Sequence, residues 1–444
     1  MKFLLCMILV AGVVTALPLQ ARPLNLLEAY QQALGYDARL RATQADNKAY
    51  KEEISKARAQ FRPNVRLNAA RGRNATEHAY LGRYGRPDYY NTVNMGVSVR
   101  QPLFNLTSDS EYKQAKAVAA KSDAELHKEE ASLIVRITEA YCNALYADDN
   151  LEFSQAQLKA AREQLQQAKR RFEKGFGTIT EISEAQAAYD TALADELEIV
   201  NSVEFSRREL EHLTGEYPRE LCKLLPAKLV LTPPEFDGVQ HWIELALEGN
   251  QDILGAQQEI QVARREIEKQ RAARYPTFDL LLGKNYSESE NNYSIGSIYN
   301  TYSLTVQMSM PLYSGGYVSA SVRQAQARWQ KAQEQLNMQE RGAQSDTRKY
   351  YNSVVVAIAQ VKAYEQAVRS HEIALTGTKK GFEAGLRSNV DVLDAQQKLL
   401  AARRNLAKSR YQYILNGLLL KQSAGILAPG DIEELNGWLV SAKQ

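Results

Sequence analysis

One short phrase, RSNVDVLDAQQ, carries three residues whose charges could do work: Arg387, Asp391 and Asp394. The two aspartates are three apart, so on a helix both carboxylates fall on one face. Ser388 to Asp391 has the S-x-x-D form of a helix start, which by itself accounts for Asp391. Asp394 lies a turn further on, where capping no longer explains an acid. An earlier phrase, RFEKGFGTITEISEAQ (Arg171 to Gln186), is similar, and its Thr178 to Glu181 has the T-x-x-E form. No enzyme motif accompanies these acids. HEIAL at His371 has Leu375 where a zinc-protease helix needs its second histidine. Nucleophile-elbow, Walker and dinucleotide glycine motifs are missing from the chain. The residues therefore point to no catalytic, cofactor or resident metal site.

The two phrases occupy the same place in a duplicated unit. Phe172, Glu173, Gly175, Thr178, Glu181 and Glu184 match Phe382, Glu383, Gly385, Ser388, Asp391 and Asp394. Their constant offset, 210, is the difference between 382 and 172. We read residues 22–224 as the first repeat, 225–238 as a proline-rich join and 239–425 as the second repeat.

Each repeat opens with a single helical stretch, Leu24 to Gln60 and Val239 to Ala273, stopped at Pro63 and Pro276. Apolar and polar residues then alternate. Leu304, Val306 and Met308 point one way, and Ser303, Thr305 and Gln307 the other. This predicts β-hairpins at about 64–103 and 277–313, with Gly- and Tyr-rich loops over 72–90 and 287–300. No Gly or Pro occurs between Leu103 and Lys174, and strong helix formers dominate. A helix over about 105–174 would be on the order of 100 Å long. A glycine turn and a return helix over about 178–213 follow. The second repeat does the same at about 317–380 and 389–423. The fold class is mainly α with transmembrane β.

Four strands with apolar faces cannot close a barrel, and open sheet edges do not occur in lipid. Several chains must pool their strands, and three would supply twelve, a workable barrel size. Arg100 would face the lumen of that barrel. A periplasmic coiled-coil structural or adaptor protein is the alternative; it explains the helices but not the hairpins at their far end. Residues 1–21 read as a secretory signal peptide, with one lysine ahead of an apolar run too short to span a membrane as a helix. The net charge of +3, with 24% charged residues, makes no case for a nucleic-acid surface. Cys142 and Cys222 remain after the leader, too few for a disulfide framework. Two separately buried thiols are the preferred reading, and a bond between them is the alternative.

The phrases NLLEAYQQAL, MPLYSGG, RFEKGFGTITEISEAQ and GFEAGLRSNVDVLDAQQKLLAARRNLAKSRYQYILNG together resemble the TolC family of outer-membrane efflux and secretion channels. The likeness runs from about Leu24 to Leu439. It implies a homotrimer in the outer membrane of a Gram-negative cell. Its twelve-stranded β-barrel would continue into an α-helical barrel across the periplasm, with an equatorial belt to which 426–444 would belong. It also implies outer-membrane lipid around the barrel, a periplasmic adaptor, and an ABC or proton-driven transporter in the inner membrane. The closed end would lie at the helix tips, with Thr180, Glu181, Phe382, Arg387, Asp391 and Asp394 as the gate. The family gate has a tyrosine and an aspartate where this chain has Phe382 and Glu181, so a closing link from Arg387 would lean on Glu181. Under threefold symmetry Asp391 and Asp394 would ring the constriction, favouring cations and binding multivalent ones as blockers.

Overall fold

The computed structural model describes residues 23–234, 238–291 and 295–440. The leader assigned to 1–21, residues 235–237 of the join, 292–294 of the stretch read as the second loop, and 441–444 of the C-terminal segment lie outside the described residues. The chain opens with α1 (Leu26–Tyr36) and α2 (Ala38–Ala59). Next come β1 (Asn64–Thr76), the short β2 (Ala79–Tyr80) and β3 (Arg83–Tyr84), and β4 (Asp88–Phe104). The first helical hairpin is α3 (Leu106–Glu173) with α4 (Ile179–Thr214), followed by β5 (Lys223–Leu224). The second repeat has α5 (Val239–Gly249), α6 (Gln251–Ala272), β6 (Thr277–Ser289) and β7 (Ser297–Ser309). Its helical hairpin is α7 (Tyr317–Glu383) with α8 (Asn389–Ser423), and α9 (Pro429–Gly437) and β8 (Leu439–Val440) end the described chain.

The sequence suggested one opening helix per repeat, and the structure has two. Asp37 breaks the first, its Oδ1 accepting from the Leu40 N–H at 2.6 Å. Asn250 breaks the second, its Oδ1 accepting from Asp252 N at 2.9 Å while its Nδ2 donates to the Ser423 carbonyl. Both are short polar side chains that satisfy the free N–H groups of a new helix start. The strands also run further than expected. β1 pairs with β4 in unbroken register from Asn64↔Arg100 to Thr76↔Asp88, taking in both ends of the stretch read as loop.

The four long strands form one antiparallel sheet in the order β1-β4-β6-β7. The β4–β6 pairing therefore joins the two hairpins inside one chain, and β1 and β7 are its edges. Register puts Val65 opposite Val99, Val99 opposite Leu282, and Leu282 opposite Leu304 on one face. That apolar face is uncovered: Val65 is 65% and Leu304 70% exposed. Arg100 is on the other face with Ser98 and Asn94, donating to Asp279 Oδ2 at 2.7 Å. No described helix is long and apolar enough to cross a membrane.

The main core lies midway along the helices. Leu133, Ile137, Tyr141 and Leu145 of α3 meet Leu26 and Tyr30 of α1, Tyr411 and Leu418 of α8, and Ile432 and Leu435 of α9. Tyr141 Oη donates to the carbonyls of Leu24 and Cys222, both at 2.9 Å, which fastens the two ends of the first repeat to its long helix. The end of the first repeat and the C-terminal segment are also stitched by pairing of β5 with β8. Cys142 and Cys222 are buried and free, so the disulfide alternative is not realised.

Candidate functional site

The site is the pair of turns at the far end of the helical hairpins. α3 and α7 both close in the same way. Gly175 N–H reaches the Phe172 carbonyl at 2.9 Å and Phe176 N–H the Arg171 carbonyl at 3.0 Å. In the second turn Gly385 N–H reaches Phe382 O at 3.0 Å and Leu386 N–H reaches Gly381 O at 2.8 Å. This pattern closes the last carbonyls of a helix and needs a left-handed residue. Gly175 and Gly385 supply it, at φ of +76° and +75°. Phe176 and Leu386 are left projecting from the turns, 79% and 82% exposed.

The return helices start with the caps read from the sequence. Thr178 Oγ1 accepts from Glu181 N–H at 3.2 Å. Ser388 Oγ accepts from Asp391 N–H at 3.1 Å, and Asp391 Oδ2 accepts from Ser388 N–H at 2.8 Å. The hydrogen bonds that Asp391 Oδ2 accepts from the Ser388 N–H and, at 2.9 Å, from the Ser388 hydroxyl, helped by the nearby Arg387 charge, hold the Asp391 carboxyl below its ordinary value. Asp391 is thus both a cap and a half-exposed charge. Asp394 is exposed and takes Lys398 Nζ at 3.1 Å. Sequence reasoning passed over Lys398, although its i,i+4 spacing from Asp394 is a readable signal.

The six residues do not all meet within one chain. Thr180 is exposed and Glu181 half-buried, on the first return helix. Among the described residues, Arg387 and Glu181 form no ion pair with each other or with any other side chain of the chain. Phe382 has a partner that the sequence did not indicate: the Arg171 guanidinium lies over its ring, 4.8 Å from the centroid.

The arrangement offers charged and aromatic side chains on two tips and no grouping for bond-making chemistry. No cluster of His, Cys, Asp or Glu suited to a metal ion occurs among the described residues.

A family model described as Outer membrane efflux protein matches residues 29–216 and 242–425, one block in each repeat. The alkaline protease secretion protein AprF of Pseudomonas aeruginosa is 34% identical over 427 residues, covering 95% of this chain and 88% of that protein. The outer membrane protein TolC of Vibrio cholerae is 33% identical over 423 residues, covering 95% of each. Among solved structures, the outer membrane protein VceC of Vibrio cholerae superposes with a TM-score of 0.76 at 21% identity, over 90% of this chain and 96% of that one. CusC superposes with a TM-score of 0.78 at 17% identity, over 90% and 92%. With the duplicated hairpins, the uncovered apolar sheet face and the paired tips, these matches assign the chain to the outer membrane efflux protein family: it is a TolC-type channel of the outer membrane reaching into the periplasm, a transport protein and not an enzyme.

Proposed function

We propose that three copies of this chain form one exit duct, with a shared twelve-stranded barrel in the outer membrane and a helical tunnel below it. The single observation that carries this is the four-stranded sheet with one uncovered apolar face and two unpaired edges, β1 and β7. Such a sheet meets lipid only when its edges are closed. Edge pairing between copies removes every open edge at once, by cyclic closure. The duct takes cargo from an inner-membrane ABC or proton-driven transporter through a periplasmic adaptor. The cargo is a drug or a secreted protein, and the name of the AprF relative favours the second. Thr180, Glu181, Phe382, Arg387, Asp391 and Asp394 form the periplasmic gate. Arg387 reaches Glu181 or another acid of a neighbouring copy, since it forms no ion pair among the described residues of its own chain. The test is the mass of the detergent-solubilised protein by light scattering, together with its conductance in planar bilayers. A trimer that conducts supports the reading; monomers that conduct as well as trimers overturn it.

A further inference from the structure

The two tips differ at one pair of facing positions. In the first turn Arg171 stands before the glycine turn and Gly177 after it; in the second, Gly381 stands before and Arg387 after. These are equivalent positions at the 210-residue offset, with arginine and glycine exchanged. Each glycine makes room locally. A Cβ on Gly177 would meet Phe172 N at 3.0 Å and Arg171 Cβ at 3.3 Å. A Cβ on Gly381 would meet Arg387 Cγ at 2.9 Å, so the stem of Arg387 folds back over its own turn. Arg171 instead leaves its own turn and lies over Phe382 of the other hairpin, at 4.8 Å. Its Nε is buried with no hydrogen-bond partner, and no carboxylate pairs with it among the described residues. The aromatic face is the group that answers its charge. A guanidinium within about 6 Å of a ring centroid is attracted by the ring quadrupole, more so when water is excluded.

We propose that Arg171 and Phe382 form a cation–π latch that ties the two hairpin tips of one protomer together and favours the closed gate, a role separate from that of Arg387. Because Phe382 has no hydroxyl, its hold on the first hairpin is through the ring and not through a hydrogen bond. The latch rests on the gate reading given above.

The experiment is a double-mutant cycle on the full-length channel in planar bilayers, read as the fraction of time in the high-conductance state. Phe382→Leu and Arg171→Gln should each raise the open-to-closed ratio by about 2- to 30-fold per protomer. The double variant should open no further than either single variant. Phe382→Tyr keeps the ring and should stay as closed as the parent. Trimer mass is checked for each variant, so that loss of assembly is not read as opening; if one of the pair does not assemble, Phe382→Met against Arg171→Met, which remove the ring and the cation in turn, completes the cycle. Asp391→Asn with Asp394→Asn is measured in parallel. If that pair alters cation preference while the Arg171 and Phe382 effects are absent or additive, the latch is overturned and the gate stands. If none of these variants changes conductance or selectivity, gate and latch fall together.

Discussion

Tyr411 Oη donates to Asp149 Oδ2 at 2.8 Å, joining the second repeat's return helix to the first repeat's long helix at mid-height. Burial pushes the Asp149 carboxyl above its ordinary value of 3.8, and Tyr411 holds it only partly back. The phenol itself is pushed well upward by the same burial. Tyr411→Phe should therefore cost about 1–3 kcal/mol, because it strands a desolvated carboxylate. Asp149→Asn keeps an acceptor for Tyr411 and removes the charge. A raised carboxyl binds its proton more tightly folded than unfolded, so the burial penalty is absent below 3.8 and complete above the raised folded value. Urea unfolding across that window should show Asp149→Asn gaining on the parent as pH rises.

At the ends of the return helices, glycines sit hard against the helices that open each repeat. A Cβ on Gly215 would meet the Tyr36 ring at 2.7 Å, and one on Gly425 would overlap the Gly249 carbonyl. Gly425 is also left-handed, at φ +73°. Gly425→Ala should destabilise the equatorial core by at least about 1–3 kcal/mol. Gly430→Ala, which has nothing within 4 Å, is the control and should stay within about 0.5 kcal/mol of the parent. Denaturant midpoints measure both.

Burial pushes the Cys142 thiol up to about 12 and raises Cys222 as well. Near neutral pH both stay as unreactive thiols. Iodoacetamide at pH 8 should leave Cys142 unmodified in the native protein and label two thiols per chain in urea without reductant. Absence of label in urea would reveal a disulfide instead.

The lowered carboxyl of Asp391 should show in the pH dependence of selectivity. In Asp394→Asn the aspartate left of the pair is Asp391, whose carboxyl is held below 3.8 by Ser388 and Arg387. Its contribution to the helix start is present above the unfolded value and lost as pH falls through the depressed folded one. Residual cation preference in this variant should therefore persist at pH below 3.8 and disappear in Asp391→Asn with Asp394→Asn. Reversal potentials in a salt gradient measure it, and block by hexamminecobalt should weaken in parallel.

The long helices, their glycine turns and the duplication were legible because each leaves a local mark. Arg171–Phe382 and Tyr411–Asp149 were not, because their partners lie 211 and 262 residues apart and each residue alone looks like an ordinary surface or core residue. Asp37 and Asn250 were hidden for a different reason: within polar helices a capping side chain resembles any other polar residue until its chain direction changes. The strand segments above the alternating core were read as loops because Gly72 and the polar Arg73, Asn74 and Asp88 dilute the pattern, while backbone pairing continues through them.

Because both hairpins belong to one polypeptide, the two kinds of tip are always made in equal number and always alternate, however many chains close the ring. A ring assembled from copies of a single hairpin pair would repeat one tip, and an arginine on it could meet only another copy of the same surface. Here the exchange of arginine and glycine between 171/177 and 381/387 makes the neighbouring tips unlike, so one can supply a cation and the other a ring. The chain thereby gains the recognition available to a hetero-oligomer while its stoichiometry is set at translation, with no second gene product to balance.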